Sequence, residues 1–233
     1  MLVNGDCSLV ITPTNIAILI DGGGSEFGSY DVGENTLLPY LFDRGIDRIH
    51  YVMISHFDSD HCKGLEYILE NMKVENIVLG LQYEVCENLN DILEIAQKNK
   101  INIISVKAND VLQIDKYTTF EILWPNPESM ISENAINNNS IVAKLNYYNF
   151  SMLFTGDIEK LAEEGIIKYY RAIYLNATIL KVAHHGSKTS SIESILKLVR
   201  PKIALIGVGE NNLYGHPNDI VLNRLENLRS RYL

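Results

Sequence analysis

The sequence predicts an α/β protein, and three observations predict it. Short β-rich runs alternate with helical patterns along most of the 233 residues. Several of those runs end in residues able to hold a metal ion, and α/β sheets gather ligands outside the carboxyl ends of their strands. The composition, 46% hydrophobic and 21% charged, is that of an ordinary globular chain long enough to bury a full core.

The elements follow in order. Residues 8–11 and 16–20 read as a hairpin with Thr12-Pro13-Thr14-Asn15 as its turn, and Asp21-Gly22-Gly23-Gly24 ends the second strand. Residues 37–44 read as a helix with Pro39 in its first turn and Gly45 just past its end. A strand at 51–55 leads to an amphipathic helix at 64–70, then strand 76–80, helix 88–98 and strand 101–106. The middle turns β-rich at 111–114, 119–124, 141–147 and 151–154. The last third returns to α/β order: helix 158–170, strand 178–183, helix 192–199, strand 203–208 and helix 219–228. The polar segment 125–139 is the longest loop, a length that often carries function. No repeat, low-complexity tract or linker interrupts the chain, so residues 1–233 read as one domain.

Charge and cysteine usage narrow the function. A net charge of −9 weighs against a broad basic nucleic-acid surface. Two divalent cations would offset about four of those charges, so a polyanionic substrate stays in play. No run of 18 apolar residues spans a membrane, and the first residues have no signal-peptide pattern. Cys7, Cys62 and Cys86 form neither a disulfide framework nor a zinc knuckle. Cys62, next to His61, is either close to a metal or a small buried hydrophobe.

The densest chemistry lies in His56-Phe57-Asp58-Ser59-Asp60-His61, directly after an apolar strand. Two carboxylates and two imidazoles crowded at one point repel or resist burial unless a cation compensates them. Three further strands end alike: in Asp157 after Phe154-Thr155-Gly156, in His184-His185 after Lys181-Val182-Ala183, and in His216 within Tyr214-Gly215-His216-Pro217. Each has a plainer reading alone. Asp157 can cap the following helix, His216 can be a turn histidine bonded to backbone, and Asp21 can simply set up the glycine turn. Taken together they point towards a dinuclear metal-dependent hydrolase.

These endings resemble the ligand motifs of the metallo-β-lactamase superfamily. Its first motif is H-x-H-x-D-H; here the pattern is His56-x-Asp58-x-Asp60-His61, with Asp in the second slot. Thr155-Gly156-Asp157 is similar to the bridging carboxylate motif, and His184 or His185 to the last metal-binding histidine. The resemblance narrows to the C-terminal hydrolase-like domain of the ComEC competence proteins. It is carried by Val3–Ser8, Leu19–Gly23, Ser55–His61, Asn138-Asn139-Ser140, Phe154–Asp157, Lys181–Ser187 and Tyr214–Pro217.

The resemblance implies a four-layer αββα sandwich: two mixed sheets face to face, with helices outside. It implies a domain excised from a multi-pass bacterial membrane protein, lying on the extracytoplasmic face beside a channel, with DNA as substrate. Both ends of the chain read as boundaries of such a domain. One metal site would hold His56, Asp58, Asp157 and Asn139; the other would hold Asp60, His61, Asp157 and either His184 or His185. The family's usual histidine ahead of the bridging aspartate is replaced by Asn137-Asn138-Asn139-Ser140. Oxygen-rich coordination favours Mn²⁺, with Zn²⁺ and Mg²⁺ as alternatives.

The expected activity is phosphodiester hydrolysis, as a nuclease degrading one DNA strand during competence-related uptake. Asp60 would bind metal and orient the attacking water. His216 would contact a phosphate oxygen or protonate the leaving alkoxide. Asn139, Ser140, Ser187 and Lys188 are candidate substrate contacts, although Lys188 reads equally as a solvated lysine. Two other functions fit the same pattern: a small-molecule hydrolase acting on a phosphodiester, lactone or thioester, and a metal-poor domain that binds DNA or protein.

Overall fold

The computed structural model describes residues 5–25, 30–209, 212 and 214–233. Val3 and Asn4 of the N-terminal motif lie outside them. The chain divides into two compact units, Met1–Val106 with Gly209–Asn211, and Lys107–Val208 with Asn212–Leu233. Among the described residues no helix is long and apolar enough to cross a membrane.

The first unit holds a mixed sheet of five strands, hydrogen-bonded side by side in chain order. The hairpin forms as the turn residues predict: β1 (Ser8–Ile11) pairs antiparallel with β2 (Ala17–Ile20). A π-helical turn at Gly33–Leu37 runs into α1 (Leu38–Asp43), which carries Pro39 in its first turn. Strands β3 (Arg48–Ile54), β4 (Lys73–Gly80) and β5 (Asn102–Val106) then add in parallel, joined by α2 (Ser59–Asn71) and α3 (Glu87–Asn99). Leu65, Ile68 and Leu69 of α2 lie at helical spacing on one face and pack against Val52, Ile54 and Ile77 in a common core. Each such side chain contributes roughly 1.5–3 kcal/mol by leaving water.

Helix α2 begins five residues earlier than its apolar pattern predicts. Its first turn is Ser59-Asp60-His61, so part of the metal-like cluster is helical rather than loop. His61 extends the buried stripe of Leu65 and Ile68 by one turn, which is why this imidazole is fully buried.

The second unit holds a sheet of seven strands, in the reverse of chain order from one edge to the other. The β-rich middle forms an antiparallel meander of β6 (Val111–Gln113), β7 (Thr118–Trp124), β8 (Val142–Tyr147) and β9 (Phe150–Phe154). Two short helices, α4 (Ala135–Asn138) within the long loop and α6 (Ala172–Leu175), escape a periodicity reading because each is a single turn. Parallel neighbours β10 (Ile179–Lys181), β11 (Ile203–Leu205) and β12 (Arg231–Tyr232) follow β9 across the sheet. Helices α5 (Lys160–Tyr169), α7 (Glu193–Val199) and α8 (Asp219–Asn227) lie between them in sequence.

Candidate metal centre

In the first unit, β3 ends at Ile54 and delivers Ser55 and His56, after which α2 begins. Asp58 takes the N-cap position of α2, where a carboxylate normally bonds a backbone N–H. It makes no such bond; its Oδ2 lies 3.7 Å from His56 Nε2. The His56 and His61 rings lie tilted at 51° to one another with centroids 4.1 Å apart, and both are fully buried. Asp60, in the first turn of α2, is half-buried.

Asp21 organises this cluster. The residue sits at φ +57°, and its carboxylate accepts hydrogen bonds from Ser55 N–H and Ser55 Oγ–H, both at 2.7 Å. Its Oδ2 also lies 3.0 Å from His61 Nδ1. A carboxylate only accepts, so His61 carries its proton on Nδ1 and its lone pair on Nε2. The single Ser55 hydroxyl proton goes to Asp21, so Ser55 Oγ accepts from His56 Nδ1 at 2.9 Å. His56 therefore also bears its lone pair on Nε2. Asp21 is thus more than a turn former, a role its position before three glycines concealed.

A second carboxylate, Asp6, is buried here as well. Its backbone N–H donates to Asp60 O, and its carbonyl accepts from Gly23 N–H. No spacing in the sequence ties Asp6 to the 56–61 cluster, since these bonds form only on folding. Cys62 resolves to its plainer reading. It lies in the core, and burial, followed by the charges of Asp21 and Glu66, pushes its thiol up, away from the thiolate a metal needs.

In the second unit, parallel β9, β10 and β11 point the same way and release Asp157, His184-His185 and the His216 turn at one sheet end. Asp157 is not a helix cap: α5 starts at Lys160 with Glu159 at its N-cap. The Asp157 N–H donates to Ser140 Oγ at 3.3 Å, and Asp157 Oδ2 lies 3.3 Å from His185 Nε2. His185 Nδ1 is 2.7 Å from the carbonyl of Gly207, which only accepts, so the lone pair again falls on Nε2. His184 is more exposed, with Nε2 3.9 Å from Asp157 Oδ2 and Nδ1 3.6 Å from Glu159 Oε1. Both histidines occupy the left-handed region, at φ +50° and +53°, strain of a kind that concentrates at functional sites.

His216 lies beside the pair, its ring centroid 5.9 Å from His184 and 6.5 Å from His185. The Asn212 amide bonds both the N–H and the C=O of His216, at 2.9 and 2.7 Å, so the turn is held without using the ring. Burial first, then His184 and His185, hold His216 below the usual histidine range, with Asp157 opposing. Lys181, buried with Nζ 3.8 Å from Asp157 Oδ1, is a charge partner that lay in the quoted motif without an assigned role.

The substrate-contact candidates separate on folding. Ser140 supports Asp157, as above. Asn139 is spent on its own loop: Nδ2 donates to Ile131 O and Ala135 O, both at 2.7 Å, and Oδ1 accepts from Ile131 N–H at 3.0 Å. Ser187 is buried and bonds Thr189 Oγ1 at 2.9 Å. Lys188 is exposed, with no ion pair to a described residue.

Imidazole Nε2 atoms held by their Nδ1 partners, close to carboxylates, offer donors of the kind a divalent cation takes. Similarity to known proteins agrees. The model of the metallo-β-lactamase superfamily matches residues 2–98. The chain is 33% identical over 226 residues to ComE operon protein 3 of Bacillus subtilis (strain 168), covering 93% of this chain and 28% of the relative. It is 28% identical over 221 residues to competence protein ComA of Neisseria gonorrhoeae, covering 94% of this chain and 28% of that one. The chain thus spans about a quarter of the length of these relatives. Among solved structures, Igni18, a metallo hydrolase from Ignicoccus hospitalis KIN4/I, matches with a TM-score of 0.61 at 14% identity, over all of this chain and 93% of that one. That likeness carries the fold, whose two mixed sheets with helices are those found here. Residues 2–98 are thus similar to the metallo-β-lactamase superfamily, and nearly the whole chain resembles a segment of ComE operon protein 3 and of competence protein ComA.

Proposed function

We propose that this chain is a divalent-metal-dependent phosphodiester hydrolase that degrades a DNA strand, working as one domain of a longer competence protein at the outer face of a bacterial membrane. The observation that carries the reading is the shared arrangement of His56, His61 and His185. Each has Nδ1 tied to a protein acceptor and its lone pair on Nε2. Together with Asp58, Asp60 and Asp157 they are the proposed ligands for two metal ions. His185 is preferred over His184 because its tautomer is set by the Gly207 carbonyl. The mixed oxygen and nitrogen donors favour Mn²⁺, with Zn²⁺ and Mg²⁺ as alternatives. Such ions would acidify a water and neutralise charge on phosphoryl oxygens.

The chain's own groups do the rest. Asp21 and Ser55 hold the imidazoles of the first unit in register. Asp60 accepts a hydrogen bond from the attacking water and orients it. Lys181, 3.8 Å from Asp157 Oδ1, helps hold that carboxylate in place. His216, with its backbone clamped by Asn212, offers its ring to the phosphate or to the leaving oxygen. DNA as the substrate is supported by the likeness to a competence protein, ComA.

Hydrolysis of single-stranded DNA and of bis-p-nitrophenyl phosphate, with Mn²⁺, tests this. Asp60→Asn and His61→Ala are expected to abolish both activities. His216→Ala is expected to lower turnover ~10²–10⁴-fold while retaining metal. Full activity in Asp60→Asn would overturn the reading.

A further inference from the structure

The end of the seven-stranded sheet opposite Asp157 and His185 has a composition unlike the rest of this acidic chain. The entries of β9, β10, β11 and β12 and the β6–β7 and β8–β9 turns all lie at that end, because β9 to β12 run parallel and Tyr147 pairs with Phe150. Backbone bonds stitch them side by side: Thr178 N–H to Ser151 O, Lys202 N–H to Thr178 O, and Arg231 N–H to Lys202 O. Lys116, Arg200, Lys202, Arg229 and Arg231 sit along this rim. All five are exposed, and none is ion-paired to a described residue. The acids nearby, Asp115 and Glu226, are engaged with Tyr117 and Thr118 N–H and with Tyr232 OH. Arg200 and Arg229 follow α7 and α8 and answer their helix dipoles; Lys116, Lys202 and Arg231 have no such task.

Aromatic rings are set among these cations. Tyr117 and Tyr148 are exposed with centroids 5.4 Å apart, Phe150 is exposed beside them, and Lys116 Nζ lies 4.4 Å from the Tyr117 ring centre. Tyr148 is the first residue of a two-residue hairpin loop and sits at φ +50°, a place that favours Asn or Gly. A bulky ring there is strained, and it stays 71% exposed although it touches the rings of Tyr117 and Tyr147.

We infer that this rim holds an unpaired nucleic-acid strand, as a surface separate from the candidate metal centre. Charge complementarity calls for an anion. From β7 to β12 the rim runs about 24 Å at ~4.8 Å per strand, which suits several nucleotides and not a single phosphate. The rings supply stacking faces that only unpaired bases can use. The rim stands about 17 Å along β9 from the Asp157 end, at ~3.3 Å per residue. It would therefore retain a polymer without touching the reacting phosphate. The inference rests on the polymeric-substrate part of the proposed function and not on its chemistry.

The test is fluorescence anisotropy of the full chain with a labelled 30-nucleotide oligo-dT in EDTA, where metal-dependent cleavage does not occur. The double variant Lys202→Gln/Arg231→Gln is expected to bind about tenfold more weakly. Its log K against log salt slope should fall by about 1.4, ~0.7 for each phosphate left without its cation. Tyr148→Asn should weaken binding several-fold yet raise Tm, because Asn suits the left-handed position. Unchanged affinity and slope in these variants would overturn the inference. So would variants that bind oligo-dT normally but lose binding to phosphatidylcholine/phosphatidylglycerol vesicles, which would make the rim a bilayer surface. Bis-p-nitrophenyl phosphate hydrolysis with Mn²⁺ should be the same in all of them. A wild-type chain that binds oligo-dT through the rim but cleaves neither substrate would leave this inference standing and remove the hydrolase reading.

Discussion

His61 Nδ1 lies 3.0 Å from Asp21 Oδ2, and the same carboxylate takes two hydrogen bonds from Ser55. One buried aspartate therefore sets the tautomers of two histidines, His61 directly and His56 through the Ser55 hydroxyl. Asp21→Ala should lower Mn²⁺ affinity about 10–100-fold, the usual effect of removing a group that orients a ligand. It should also cost ~1–3 kcal/mol of stability through stranded donors. Metal titration by calorimetry and thermal melting in EDTA read the two effects separately. Unchanged metal affinity would place His61 outside the metal site.

His184 and His185 are expected to behave differently although they are neighbours. His185 is buried, with Nδ1 on the Gly207 carbonyl and Nε2 towards Asp157. His184 is more exposed and its contacts are longer. His185→Ala should lose most bound metal by elemental analysis, and His184→Ala should lose less. The reverse order would reassign the ligand.

Glu163 predicts a pH dependence of stability. It is buried on α5 and accepts the N–H groups of Ser191 and Ile192 at 2.6 and 2.8 Å, just after the histidine pair. Burial pushes its carboxyl up to about 7, while those two bonds and Arg224 pull the other way. A carboxyl whose folded pKa lies above its unfolded value adds stability that is complete below the ordinary glutamate range. That stability is lost as pH rises through about 7. Between pH 4.5 and 7.5 the loss would amount to roughly 3 kcal/mol at most. Glu163→Gln should flatten the fall of Tm over this interval; a slope equal to wild type would refute the assignment.

Asn139 should prove structural. Its amide closes the loop through Ile131 and Ala135, so Asn139→Ala should cost ~1–3 kcal/mol in chemical denaturation. Mn²⁺ affinity should stay within about twofold of wild type. A large loss of metal without loss of stability would return Asn139 to the ligand set.

Much of the fold was legible because hydrophobic period and strand order are local properties of sequence. The hairpin at β1 and β2, the alternation from β3 to β5, and the meander from β6 to β9 fall within a few residues of their expected positions. The errors have physical causes. Helix α2 begins at Ser59 because polar residues of its first turn conceal the helical period, and strands β10 and β11 stop short where the chain turns towards the candidate site.

By itself the sequence determined which chemistry is available: the crowd of ligands at 56–61, the carboxylate at 157 and the histidine pair at 184–185. Only the tertiary structure decided what each side chain does. Asp21 reaches His61 across 40 positions, Gly207 fixes the His185 tautomer, Asn139 is consumed by its own loop, and the exposed cations of three distant segments line one sheet end. Hydrogen-bond partners and surface charge arise from contacts between residues far apart in the chain. A linear pattern can nominate such residues, but it cannot pair them.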